Sequence, residues 1–283
     1  MPQSSQRHFL FLHFSVLLFG ASGLFGKLIV GGATLTVFGR TSFAAVALLL
    51  FAVLTRRSLR VDARSAGGLA LCGVLLAVHW WTFFHAIAVS SVAIGLLGFA
   101  SFPLFVAGLE SWLDRRPLPP AERWMVALVT LGLVLVTPSF DWRDQATQGL
   151  AWAILSGALF ALLAIANRRL SQLGAVRVAL WQNGVAALML APLGLPVLLA
   201  ASPDQWLIVA VLGVVFTALA HCLFIASLQT VPARTAAVIA ALEPVYGIAL
   251  AWLLFSEIPG LRMLAGGAVI LAVTTWVTLR RAD

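Results

Sequence analysis

Charge is scarce in this chain. Asp, Glu, Lys and Arg together make up 10% of 283 residues, against about 25% in an ordinary soluble domain. That is too little polar material to clothe a globule of this size, and a mean hydropathy of +1.02 cannot be hidden in one soluble core. Cysteine is nearly absent as well. Cys72 and Cys222 both lie inside apolar runs, where a buried, inert thiol is expected. No CxxC and no Cys/His spacing suited to a metal occurs, so no metal site and no cofactor are expected. HExxH, the P-loop and any other ATPase segment are missing too, which excludes primary pumping by this chain alone.

What is present is a series of apolar runs of about twenty residues carrying Leu, Ala and Val on all faces. In hydrocarbon every backbone polar group must be satisfied internally, which leaves helices or a closed barrel. A barrel would show strands of about ten residues alternating with polar lumen positions; these runs are twice that length. They predict an all-α integral membrane protein of ten spans, at about 11–31, 35–55, 66–88, 91–112, 122–138, 148–167, 175–199, 205–228, 234–255 and 261–280. The connections are too short for a soluble domain. The first run follows a short basic stretch, as a signal peptide would, but has no convincing A-x-A site and is expected to be retained as a helix.

A net charge of +8 would suit a nucleic-acid partner if it were clustered. Here the basic residues fall between apolar runs, near 56–64, 115–123 and 168–177, with Arg7, Arg234 and Arg280–Arg281. The opposite ends hold Arg143 and Arg262 with Asp141, Asp144, Asp204 and Glu257. This asymmetry predicts cytoplasmic N- and C-termini and an even span count, with lipid rather than nucleic acid as the surrounding partner.

The chain also repeats itself. Thr82-Phe83-Phe84-His85-Ala86 lies on Cys222-Leu223-Phe224-Ile225-Ala226, and Phe102-Pro103-Leu104 lies on Glu243-Pro244-Val245. Leu131-Gly132 matches Ala265-Gly266. Two halves, 1–140 and 141–283, each with an odd number of spans, must insert in opposite senses. Inverted repeats of this kind imply a secondary transporter with its site at the seam, here a central cavity.

Lys27 near the end of the first helix, Arg40 early in the second, the repeated proline, the stretch Ala226 to Tyr246 with Glu243-Pro244, and then Glu257 resemble the EamA family of the drug/metabolite transporter superfamily. The first half departs from that pattern, with Phe102 in place of the Glu and Arg116 where an acidic residue is often found. The wealth of Trp and Phe is most similar to aromatic amino-acid exporters of the YddG type. The resemblance implies a multi-pass protein of the bacterial inner membrane. It would export small amphipathic metabolites, amino acids including aromatic ones, by alternating access. Drugs or nucleotide-sugar-like solutes are the alternative cargo.

Several residues can carry such a role. Pro103 and Pro244 fall near the middles of their spans, where a proline leaves a kink and a free carbonyl. Matched in both halves, they suggest bent helices facing a cavity, against kinks used only for packing. Glu243 lies at about mid-bilayer depth, where a carboxylate costs a few kcal/mol or more; it would carry a proton, hold an amine, or pair structurally with Arg234 or another helix. Lys27 and Arg40 either receive a carboxylate, as ligand or gate, or snorkel to the outer headgroups. His79, Thr82 and Phe83 share one helical face beside Trp80 and Trp81, and His221, Phe224 and Leu228 form the pseudo-equivalent face. Such faces can stack on an aromatic solute or merely fill packing and lipid-facing surface. Phe99, Trp152, Phe160, Trp181, Asn183 and Tyr246 complete the candidate cavity lining, with ordinary core as the alternative for each. Gly266 and Gly267 offer a packing or dimer face, leaving monomer and homodimer both open. Gly20-Ala21-Ser22-Gly23 fits the GxSG pattern of an intramembrane serine protease, but no repeat logic supports it and the same pattern is an ordinary packing signature. The chain is therefore not expected to be an enzyme.

Overall fold

The computed structural model describes residues 3–115, 117–118, 120–137, 139, 141–168, 170, 173–227, 239–240 and 242–280. The expected roles of Arg116, Leu228, Arg234 and Arg281, and the start of the ninth span, lie outside the described residues.

All regular structure among the described residues is helical. The helices are α1 (Gln3–Ser22), α2 (Phe25–Leu28), α3 (Gly32–Leu54), α4 (Ala63–Val89), α5 (Val92–Phe99), α6 (Phe102–Asp114), α7 (Pro120–Val136), α8 (Gln145–Arg168), α9 (Ala175–Leu199), α10 (Pro203–Gly213), α11 (Ala220–Ser227), α12 (Glu243–Phe255) and α13 (Leu261–Arg280). A π-helical segment, Val214–Leu219, joins α10 to α11. Seven stretches are long and apolar enough to cross a bilayer: Arg7–Leu28, Gly32–Leu54, Ala63–Val89, Val92–Leu113, Gln145–Asn167, Ala175–Leu199 and Pro203–Phe224. Glu243–Phe255 and Leu261–Trp276 are shorter apolar helices. The 17-residue α7 occupies the remaining expected span. Thirteen residues of α12 reach about 20 Å at 1.5 Å per residue, short of a bilayer core of about 30 Å; the rest of that expected span precedes the described part.

Local chemistry sets the boundaries. The Asp62 carboxylate accepts from the Ser65 N–H at 3.0 Å and its hydroxyl at 2.6 Å, capping α4, and those bonds hold its carboxyl below the usual carboxylate range. The cap is therefore complete above the ordinary carboxylate pKa and is lost only as pH falls through the depressed value. Ser91 and Ser202 cap α5 and α10 in the same way.

The two prolines sit differently from the sequence expectation. Each occupies the first turn of a restarted helix, after a break at Ala100–Ser101 in one case and at Leu242 in the other. A proline there forfeits no intrahelical bond, because the first N–H groups of a helix have no partner anyway. Both restarted helices are 13 residues long and both end on a left-handed residue, Arg115 at φ 52° and Ser256 at φ 56°.

Helices approach closely where glycines meet. A Cβ on Gly266 would lie 2.6 Å from the Gly132 carbonyl oxygen, so α13 and α7 cross backbone to backbone. Gly20 and Gly247 bring α1 onto α12, and Gly157 sets α8 against the break between α5 and α6. The principal contacts pair α4 with α8, α3 with α9, α7 with α13, α4 with α9, α5 with α8, α1 with α11 and α6 with α8.

The bundle has two ends. Lys27, Ser90 and Glu257 meet at one, where the lysine ammonium and the glutamate carboxylate are 3.8 Å apart. At the other, Arg177 Nε donates to the Ser58 carbonyl at 3.0 Å and Trp181 Nε1 to Leu59 at 3.4 Å, beside a surface cavity of about 210 Å³ lined by Arg57, Leu173 and Arg177 among others. Trp112, Trp124 and Trp252 are exposed, as belt residues should be, whereas Trp206 packs edge-on against Phe43.

In a background lacking both cysteines, Ser58→Cys and Gln145→Cys are expected to react with a membrane-impermeant thiol reagent from opposite sides, the first only in inside-out vesicles. Gly266→Ala is expected to lower stability by about 1–3 kcal/mol through overpacking. Gly108→Ala, which meets nothing within 4 Å, should be neutral or slightly stabilising; unfolding midpoints of the purified protein compare the two.

Candidate functional site

The most buried cation among the described residues organises the centre of the fold. Arg40, on α3, is only 3% exposed. It does not snorkel to the surface, which removes one of the two sequence readings for it. Its guanidinium carbon lies 3.7 Å from the centroid of the Trp80 ring and 5.2 Å from that of Phe84. Such a cation–π contact contributes about 2 kcal/mol when desolvated. Nε donates to the Thr217 hydroxyl at 3.2 Å.

Thr217 is placed by the π-helical segment. One residue more than an α-turn separates it from Leu212, whose carbonyl accepts the Thr217 hydroxyl at 2.9 Å. The oxygen's remaining capacity then faces Arg40. The Thr217 carbonyl accepts from His221 Nδ1 at 2.8 Å. Single π-turns inside α-helices frequently mark functional positions.

Glu243 opens α12 opposite this cation. Its backbone is held by α1, because a Cβ on Gly20 would come 2.6 Å from the Glu243 carbonyl oxygen. Arg40 and Glu243 act on each other electrostatically, yet among the described residues the contact ion pair within 4.0 Å is Lys27–Glu257, not this one.

Aromatic rings surround the charges. His221 lies edge-on to Phe19 at 5.3 Å and to Trp80 at 6.4 Å, and Phe224 tilts on Phe19 at 5.9 Å. On the other side of Trp80, His79 packs with Phe99 at 5.4 Å and Phe160 at 5.1 Å. Phe102 and Phe83 close on Phe99 at 5.5 and 5.6 Å. His79 also ties α4 to α8. Its Nδ1–H faces the Ser156 carbonyl at 3.1 Å and hydroxyl at 2.8 Å, while that hydroxyl donates to the His79 carbonyl at 3.0 Å. Acceptor carbonyls therefore place the proton on Nδ1 in both histidines, leaving Nε2 as an acceptor.

The structure thus brings His79, Phe83, Phe99, Phe160, His221, Phe224, Glu243 and Arg40 into one region, with Pro103 and Pro244 at the helix restarts beside it. Thr82 is buried there, but its hydroxyl donates to the His79 carbonyl on its own helix at 2.8 Å. Others stand apart. Trp152 joins Trp81 and His85 in a second aromatic group. Trp181 lies at the Ser58 end. Tyr246 packs with Leu12 and Val16, its hydroxyl 3.5 Å from His13 Nδ1. Asn183 donates to Ala179 at 2.8 Å, and its buried Oδ1 has no partner among the described residues. Ser22 donates to the Phe19 carbonyl on its own helix at 2.7 Å. Thr217, Phe19 and Phe102 were not legible as site residues: the π-turn leaves no hydropathy signal, and two phenylalanines among 18 carry none either.

Lys27 belongs to a separate tie at its own end. Nζ donates to the Ser90 carbonyl at 2.7 Å and lies 3.8 Å from Glu257 Oε1. Glu257 Oε2 accepts from the Val92 N–H at 3.0 Å. Nearby, the Gln205 amide bridges the α2–α3 turn, accepting from Val30 at 3.0 Å and donating to Leu28 at 3.3 Å.

Ser156→Ala is expected to lower stability by about 1 kcal/mol, the net worth of the lost hydroxyl bonds, read as a lower unfolding midpoint. An unchanged midpoint would show that the helix pair does not depend on this bond.

Comparison with known proteins follows the same direction. An uncharacterized transporter of Archaeoglobus fulgidus is 27% identical over 91% of both chains. The uncharacterized transporter YxxF of Bacillus subtilis is 23% identical over 74% of this chain and 69% of its own. The pseudopaline exporter CntI of Pseudomonas aeruginosa is 23% identical over 83% of this chain and 82% of its own. A solved crystal structure, 18% identical, superposes over 96% of this chain and 97% of that one with a TM-score of 0.65, so the overall helix arrangement is shared. Residues 147–279, the second half of the chain, match the EamA-like transporter family.

Proposed function

We propose that the whole chain is a secondary or facilitative transporter of the EamA type, exporting small amphipathic metabolites, amino acids including aromatic ones, by alternating access. The observation that carries this reading is the central region itself: a buried cation, a carboxylate and two imidazole faces gathered with stacked aromatic rings from both halves of the chain. Small-molecule sites have that character, mostly apolar with a few convergent polar groups. Charges deep in a span are functional by default.

The proposed architecture is ten spans in two inverted halves, 1–140 and 141–283. Its supports are the matched 13-residue proline-led helices and their like packing, α6 against α8 and α12 against α1. The basic Ser58 end faces the cytoplasm in this reading, with both termini inside a bacterial inner membrane. Helices α4, α5, α6, α11 and α12, with parts of α1, α3, α8 and α9, border the solute path, and α7 with α13 form peripheral scaffold. The Lys27–Glu257 tie closes the opposite end and serves as a gate, since it joins the α2 turn, the α4–α5 turn and the loop after α12. Named as an exporter, the Pseudomonas relative supports outward movement of a metabolite; drugs and nucleotide-sugar-like solutes remain the competing cargo.

Purified protein in liposomes is expected to move labelled Phe, Trp, Met or Thr down a gradient. Flux of a drug or nucleotide sugar, with none for a broad amino-acid panel, would overturn the cargo. If Glu243 also couples protons, a pH gradient should accelerate uptake in the parent and lose that effect in Glu243→Gln. Equal acceleration in both removes the coupling role and leaves the cargo untouched.

A further inference from the structure

Arg40 and Glu243 are an unusual pair for a membrane interior. Two opposite charges out of water gain most by touching, and these two are built so as not to. Arg40 is fixed by Thr217 on Nε and by the Trp80 face. A guanidinium has five N–H donors in a planar fork. Among the described residues, the bond to Thr217 and a stack on the flat face leave its terminal edge, the one that grips a carboxylate bidentately. Glu243 is fixed independently, by the Gly20–Gly247 crossing of α1 and α12. Two separate scaffolds thus hold a positive edge and a carboxylate within each other's field but outside contact.

The surroundings are lopsided as well. Phe102 occupies, in the first half, the place that Glu243 occupies in the second. It stacks with Phe99 and meets Phe160 edge-on at 5.2 Å. Trp80 therefore carries the Arg40 charge on its ring and lies beside the aromatic group of His79, Phe99 and Phe160.

We propose that Arg40 and Glu243 jointly read a zwitterionic head group, the carboxylate on Arg40 and the ammonium on Glu243, with the solute's apolar part along Trp80 toward Phe99 and Phe160. The inference rests on the transport reading above and sharpens it: the recognised feature is the pair of charges on one small head, not amphipathic character in general. A solute with one charge leaves the opposite protein charge uncompensated, which costs more than the missing bond alone.

The test uses the full-length protein and four probes: L-phenylalanine, 3-phenylpropionate, 2-phenylethylamine and L-phenylalanine amide. Competition against labelled phenylalanine in proteoliposomes and thermal shift in detergent give relative affinities. Each single-charge probe is expected to bind about tenfold or more weakly than phenylalanine, the size of one charge-assisted bond. In Glu243→Gln the gap between phenylalanine and 3-phenylpropionate should close, while the gap to the two amines persists. In Arg40→Gln the pattern should reverse. Should Arg40→Gln fail to fold, the parent series and Glu243→Gln still decide. Equal competition by all four probes in the parent, or a Glu243→Gln variant that changes both gaps alike, overturns the zwitterion proposal and leaves amino-acid transport standing. Absence of binding or flux for every amino acid overturns both.

Discussion

A positive charge buried within the protein at Arg40 is the constraint around which the interior is arranged. A cation at this depth costs several kcal/mol unless neighbours compensate. Trp80 supplies a π face, Thr217 an acceptor and Glu243 a counter-charge at a distance. Each comes from a different helix, so the cation links α3, α4, the π-helical segment and α12. Moving any of these elements alone strips a partner from a charge that has no water to replace it. The residues around Arg40 are thus coupled by electrostatics more than by shape.

Against that coupled centre stand rigid pairs. Where Gly132 meets Gly266, and Gly20 meets Gly247, backbones touch with no side chain between them, and packing of this kind has no soft degree of freedom. The helix restarts ahead of Pro103 and Pro244 are the complementary feature. At each break a helix begins again with first-turn N–H groups unbonded within it. Rigid crossings and matched breaks together divide the bundle into units that keep their internal packing, with joints at defined places.

Much of this arrangement is readable from residues alone. Long apolar runs report the spans because hydropathy is a local property. Span limits such as Gly32–Leu54 and Ala175–Leu199 fall within a few residues of expectation for that reason. The proline pair was legible as a repeat but not as a pair of helix starts, since nothing local distinguishes a kinked helix from one that breaks and resumes. Arg40 was ambiguous between surface and interior; its span offers both, and only the position of Trp80 and Thr217, 40 and 177 residues away in sequence, decides. The partnership of Lys27 with Glu257 spans still more chain. Ser156 is an ordinary serine at helical spacing between Trp152 and Phe160, yet its bond to His79 fastens α4 to α8. Local chemistry is written in the sequence one turn at a time, while site chemistry depends on which turns meet.

The Lys27–Glu257 end of the bundle is fastened less firmly than its interior, and that bears on the proposed cycle. The Lys27–Glu257 pair is partly exposed on both sides, at 27% and 22%, and its partners are 3.8 Å apart. Pairs of that kind contribute about 0–1 kcal/mol. The accompanying bonds from Lys27 to Ser90 and from Val92 to Glu257 can be exchanged for water at little net cost. None of this resembles the backbone-to-backbone crossings deeper in the bundle. A carrier needs a closure that thermal motion can open and a core that survives the opening. In this chain the separable ties lie at the end, while the desolvated charge and the glycine crossings lie inside. In the proposed cycle, the free energy that moves the structure from one state to another comes from what happens around Arg40. A solute or proton that alters the balance between Arg40 and Glu243 acts where interactions are strongest, and the loosely held end can follow.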